Sequence, residues 1–153
     1  MGLKLIRNML PALALATLAW SAHAQDTIKI GVTEPLTGAV AASGNYVTQG
    51  AKIAEDAVNA AGGVLGKKIQ LIIEDNKSNP KEAVDTAEKL IVGDKVPVLM
   101  GAWSSTYTLA VMPKLMEYGV PMVVETSSSG KITTSACAKL VANSSSKACV
   151  RLY

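Results

Sequence analysis

The chain has 153 residues, of which 49% are hydrophobic and 18% charged, with a formal net charge of +3. These are the proportions of one modest globular domain and exclude a disordered or fibrous chain. Aromatic residues make up 4% and Phe is absent, so a core must come from Ala, Val, Leu, Ile and Met, and a stacking platform for single-stranded nucleic acid has few rings to use.

Residues 1–24 read as a secretory signal. Lys4 and Arg7 form a short basic region, residues 9–20 an apolar one, and Ala22-His23-Ala24 a small-x-small cleavage site before Gln25. The apolar run is interrupted by Pro11 and falls short of the roughly 18 residues a spanning helix needs. No stable membrane insertion is therefore expected, and no Cys follows the cleavage point to carry a lipid. Removing Lys4 and Arg7 with the leader brings the mature chain close to neutral, which argues against a nucleic-acid partner. The only histidine, His23, leaves with it. Ser-His-Asp and Cys-His nucleophiles, His-ligated zinc and histidine acid–base chemistry are thereby excluded, and no enzyme activity, cofactor or metal is expected.

From Thr27 onward, short apolar runs alternate with helical periods. Residues 28–34 predict a strand stopped by Pro35, with Leu36-Thr37-Gly38 opening a small-residue loop that continues through Ala41-Ala42-Ser43-Gly44. Val47, Gly50, Ala51, Ala54, Val58 and Ala61 mark the buried stripe of a helix that Gly62-Gly63 stops, with Glu55 and Asp56 on its solvated side. Residues 68–75 predict a second strand. Asn79-Pro80 caps a second helix with the stripe Ala83, Val84, Ala87, Leu90 and Ile91. Residues 97–101 predict a third strand, apolar on both faces as in a covered parallel sheet. Ser104 or Ser105 caps a third helix kinked at Pro113, and residues 121–125 predict the fourth strand. Strands and helices alternating over short connections predict an α/β fold with a doubly wound open parallel sheet. After about residue 132 neither period persists, and residues 136–153 are expected to stand outside the fold as a tail. Cys137 and Cys149 fall there, and two cysteines make no disulfide framework.

Phosphate-loop readings fail: Gly66-Lys67 and Gly130-Lys131 lack the following Ser or Thr, and no G-x-G-x-x-G follows a strand. Glu74-Asp75-Asn76 ends a strand, where a metal reading is weaker than plain surface. The more informative run is Gly101-Ala102-Trp103-Ser104-Ser105-Thr106. It joins a buried strand to a helix, so hydroxyls and unpaired N–H groups meet at a positive helix end suited to a carboxylate. Taken alone, Ser104 as a simple cap is the stronger reading. Thr126-Ser127-Ser128-Ser129-Gly130 after the next strand and Ala41-Ala42-Ser43-Gly44 after the first shift that balance, because all three loops fall at the carboxyl edge where such sheets bind ligands.

Pro35-Leu36-Thr37-Gly38, Asn59-Ala60-Ala61-Gly62-Gly63-Val64-Leu65-Gly66, Glu74-Asp75-Asn76 and Gly101-Ala102-Trp103-Ser104-Ser105 together resemble the N-terminal lobe of periplasmic leucine/isoleucine/valine-binding proteins, the substrate receptors of branched-chain amino acid ABC transporters. The resemblance spans residues 25–135. It implies a type I periplasmic binding protein lobe that grips an amino acid's ammonium and carboxylate through Ser43, through Trp103, Ser104 and Ser105, and through Thr126, Ser127 and Ser128. Trp103 stands where relatives can carry a small polar residue, so either its ring packs on the ligand or its backbone alone serves. The implied partners are an amino acid and, through a complete two-lobe protein, the permease subunits of an importer; the implied location is the periplasm. The family pattern breaks after Ser135, so the chain reads as a truncated lobe, and a change of reading frame near Ser135 or Ala136 would account for the tail. The alternatives are a ligand-sensing domain of the same fold, for amides or other small organic acids, and an α/β enzyme, which the missing histidine opposes.

Cleavage between Ala24 and Gln25 is expected. N-terminal sequencing of the exported protein checks it, and a mature product starting at Met1 would refute the secretory reading.

Overall fold

The computed structural model describes residues 27–132 and the backbone of residues 149–151. Its elements in chain order are β1 (Ile28–Glu34), α1 (Ala41–Ala60), β2 (Ile69–Asp75), α2 (Pro80–Glu88, continued by a π-helical turn over Lys89–Gly93), β3 (Leu99–Gly101), α3 (Ser105–Tyr118), β4 (Met122–Val124) and β5 (Cys149–Arg151). The five strands form one sheet in the order β2-β1-β3-β4-β5, and every neighbouring pair is parallel. This is the doubly wound open sheet that the alternating pattern predicts. The leader lies outside the described residues, as do Cys137 and residues 133–148.

Local signals set most of the boundaries. Asn79 Oδ1 accepts from the N–H groups of Lys81 (2.8 Å) and Glu82 (3.3 Å), and Pro80, with no N–H to lose, takes the first helical position. Ser104 caps α3, and Gly119 ends it. Strand alternation then decides which face each side chain serves. Leu99, Met122 and Val124 point to the side covered by α2 and α3, where they meet Ala83, Ala87, Leu90, Val111 and Leu115 in the main core. Burying each such Leu, Val or Met stabilises the fold by roughly 1.5–3 kcal/mol. On the other face Ile30, Leu71 and Met100 meet Ala51, Ala54 and Val58 of α1 around an apolar groove.

Three expectations need correction. Helix α1 begins at Ala41, so Ser43 and Gly44 lie in its first turn and not in a loop. The cause is tight packing: a Cβ on Gly44 would sit 2.3 Å from the Pro35 carbonyl oxygen, and glycine lets that turn close onto the end of β1. Glu55 is not merely solvated, since its Oε1 accepts from Leu71 N–H at 2.8 Å and so satisfies an amide of edge strand β2. The backbone of Cys149–Arg151 joins the sheet beside β4, in a stretch where the sequence predicts no element; three residues are too few for a period to show.

Asp75, at the end of β2, joins two loops. Its Oδ1 accepts from the N–H groups of Leu36 (2.9 Å), Thr37 (3.1 Å) and Lys77 (2.8 Å), and its Oδ2 from Thr37 Oγ1 (2.6 Å). Burial works against the charge, but these four bonds together outweigh it and hold the carboxyl below its ordinary value. Glu74 pairs with Lys89 at 2.7 Å, so the acidic run at this strand end is spent on structure. Asp75→Ala is expected to cost about 2 kcal/mol of stability at neutral pH in urea unfolding, in the range for hydrogen bonds to a charged group. Because the folded-state value is depressed, this contribution is present above the ordinary value of 3.8 and is lost as pH falls through the folded value, so parent and variant should converge in acid.

Candidate functional site

In a sheet of this order β1 is followed by a helix on one face and β3 by a helix on the other, and the crevice between their carboxyl ends is where such folds take ligands. Strand β3 enters it at Gly101, where φ is +135°; a Cβ there would lie 2.3 Å from the Thr33 carbonyl oxygen and 3.2 Å from Glu34 Oε1. Only glycine fits that approach. The chain then turns through Trp103, whose φ of +56° is left-handed, at a cost of roughly 1–2 kcal/mol for a residue with a Cβ.

The turn is held at both ends of that residue. Trp103 N–H donates to Glu125 Oε1 at 3.0 Å, and its carbonyl accepts from Ser127 Oγ at 3.1 Å. Ser127 is buried, and its hydroxyl lies 2.7 Å from Thr108 Oγ1. Ser104 Oγ accepts from Thr106 N–H (3.3 Å), and its carbonyl accepts from the N–H groups of Tyr107 and Thr108 (3.0 Å each). Ser105 Oγ accepts from Ser129 N–H at 3.1 Å, tying the loop after β4 to the start of α3.

The structure thus brings Trp103, Ser104, Ser105 and Ser127 into one network, with Thr126 and Ser128 exposed on the adjoining loop. Ser43 stands apart in the first turn of α1, with its N–H donating to the Val40 carbonyl. Within the network the roles divide. Ser127 spends its hydroxyl inside the protein. Ser104 and Ser105 each accept one bond from a backbone amide and keep an O–H to donate. Ser105 N–H, at the first position of α3, has no acceptor among the described residues. These donors converge on the positive end of a 14-residue helix. A carboxylate is the group that such an end receives.

Two residues at this edge were not singled out by the sequence: Glu34 and Glu125. Thr33 Oγ1 bonds Thr86 of α2 at 2.8 Å, so Glu34 faces the α1 side. Val124 belongs to the α2–α3 core, so Glu125 faces that same side. The register places Thr33 opposite Gly101, and Met100 opposite Val123. One step further along the register, the backbone of Ala102 lies between the two glutamates while its side chain joins the α2–α3 core. Glu34 is 0% exposed, and neither of its oxygens has a hydrogen-bond donor; Glu125 Oε2 and Asn76 Nδ2 are likewise buried and unpartnered. Burial, then the negative charge of Glu125 and the hydrogen bond that a protonated Glu34 gives to it, push the Glu34 carboxyl up to about 10. The available sequence signal was a glutamate closing each of two apolar strands on the same face.

Among the described residues no group of three or more His, Cys, Asp or Glu is placed to hold a metal ion, and no helix is long and apolar enough to cross a membrane.

Comparison with known proteins gives this edge a context. A family profile described as periplasmic binding protein matches residues 27–149. The Leu/Ile/Val-binding protein BraC3 of Rhizobium johnstonii is 40% identical over 124 residues, covering 81% of this chain and 34% of that protein. The substrate-binding protein LivJ of a branched-chain amino acid transporter from Streptococcus pneumoniae, solved in complex with isoleucine, superimposes with a TM-score of 0.70 at 34% identity, covering 72% of this chain and 32% of that one. A solute-binding protein of an ABC transporter from Rhodopseudomonas palustris, in complex with 3,4-dihydroxy benzoic acid, gives 0.67 at 30% identity, covering 82% and 31%. The chain spans about a third of the length of these relatives. With a matching profile over most of its length and a parallel sheet that superimposes on theirs, the chain belongs to the periplasmic binding protein family.

Proposed function

We propose that residues 25–135 form the N-terminal lobe of an exported receptor that delivers a branched-chain type amino acid to the permease subunits of an ABC importer in the periplasm, without catalysing a reaction. The observation that carries this reading is the start of α3, where the N–H of Ser105 and the O–H groups of Ser104 and Ser105 remain to be given to a ligand. A carboxylate placed there gains roughly 1.5–3 kcal/mol from each charge-assisted bond and up to about 2 kcal/mol from the helix end. Ser43, Thr126 and Ser128 would complete the rim, while Ser127 and Glu125 hold the turn in shape. The named relatives support the ligand class, because the isoleucine-bound receptor and the dihydroxybenzoate-bound one share a carboxylate as the ligand's common group.

The second of those relatives supports an alternative, that the same edge takes small organic acids in a transport or sensing role. The two readings part on the ligand's ammonium.

Amide NMR spectra of the chain titrated with isoleucine and, separately, with 3,4-dihydroxybenzoate test both. One lobe covers only part of a ligand, whereas good sites cover about 70–90% of it, so binding weaker than about 1 mM is expected. Shifts should cluster at residues 103–106 and 126–129, and Ser105→Ala should weaken them about tenfold or more. A response to isoleucine alone selects the amino acid reading and a response to dihydroxybenzoate alone the alternative. An unresponsive edge with both ligands at tens of millimolar overturns the placement.

A further inference from the structure

Resting on that reading of the α3 start, we propose that Glu34 and Glu125 are a proton-sharing pair that positions the turn at residues 103–105, so that the binding edge keeps its shape only while one proton is held between them. Strands in a sheet lie about 4.8 Å apart, so side chains from β1 and from the end of β4 must reach across β3 to meet. They do so beside Gly101, where a Cβ would lie 3.2 Å from Glu34 Oε1 and glycine leaves the space. Glu125 then has two tasks. Its Oε1 takes the Trp103 N–H, and its Oε2, buried without a donor, faces the problem that Glu34 also has. As two carboxylates the pair would present three buried oxygens that no N–H or O–H satisfies, beside a like charge. One proton on Glu34 makes it a donor to Glu125, which removes the like charge and engages two of the three oxygens.

No bond from the surroundings reaches these oxygens, and Thr48 Oγ1 of α1 is itself buried without a partner. On β2 the register partner of Glu34 is Asp75, whose carboxylate is taken by Leu36, Thr37 and Lys77. Strand β3 ends in Gly101 and is followed by Ala102, neither of which carries a polar side chain. On α1 the charged residues Lys52, Glu55 and Asp56 begin two turns beyond Gly44, where that helix meets Pro35, and Glu55 is engaged by Leu71 N–H. Asn76 Nδ2 lies at the same sheet edge but bonds neither glutamate. The proton is thus the one device that lets Glu125 stay ordered against Trp103. Loss of it sets two like charges against each other in a buried site, draws Glu125 off the Trp103 N–H and releases a left-handed residue that costs energy to hold. Ser104 and Ser105 follow directly in the chain and move with it.

The test uses the full chain carrying Trp20→Tyr, which leaves Trp103 as the single tryptophan. Its emission is recorded from pH 5 to beyond 10. The parent should show one step in the alkaline range. Glu34→Gln, whose amide donates to Glu125 at every pH, should abolish that step and keep the neutral emission. Unfolding by urea gives the second readout. The Glu34 value is raised from 4.5 to about 10, so the stability held by its proton is fully present below 4.5 and is lost as pH rises towards 10. Across that window the unfolding constant of the parent should rise up to about tenfold per pH unit more steeply than that of Glu34→Gln. A step that survives in Glu34→Gln, or equal pH slopes in parent and variant, overturns the pair. Neither readout uses a ligand, so failure to bind isoleucine counts against the function reading alone.

Discussion

The backbone of Gly101 passes so close to the Thr33 carbonyl that no side chain fits between them, and the candidate site is built outward from that contact. Because β3 ends pressed against β1, the chain must turn sharply before α3 can start. Trp103 takes the unfavourable conformation of that turn, and Glu125 and Ser127 hold its two backbone groups. The position of the α3 start is therefore set by residues of the strand and loop that follow it in the sequence. A ligand-binding edge gains from this arrangement, since donors held before binding lose less freedom when the ligand arrives.

Two carboxyl groups at the same sheet edge show how neighbours decide charge. Glu34 and Asp75 are register partners at the ends of β1 and β2. Asp75 accepts four hydrogen bonds and stays ionised. Glu34 accepts none, is fully buried, and sits beside another glutamate, so its neutral form is favoured. Residues of nearly the same chemistry thus do opposite work, one fastening loops by its charge and the other fitting a buried site by giving charge up.

The hydroxyl-rich loops also divide by environment. Ser127, buried between Thr108 and the Trp103 carbonyl, braces the loop after β4. Ser105 is tied to Ser129 yet retains both an N–H and an O–H at the helix end.

The sequence by itself determined the alternation of strands and helices, because a period of two against one of 3.6, Asn79-Pro80 at one helix start and Gly62-Gly63 at another helix end are local signals that need no partner. It also put the loops after β3 and β4 at the carboxyl edge, since a parallel sheet leaves no other place for them, whereas the bonds that join Trp103 to Ser127 and Ser105 to Ser129 came from the structure. What it could not carry was anything that depends on which residues meet across strands. The start of α1 at Ala41 rests on the fit of Gly44 against Pro35, Glu55 is engaged through an amide on β2, and β5 is a three-residue strand whose only signal is its neighbour. Glu34 and Glu125 are 91 positions apart and look in sequence like two ordinary strand ends. Only the order of the strands, with Gly101 leaving room beside Glu34, brings these glutamates together, and only their burial without a hydrogen bond from a neighbour favours a shared proton.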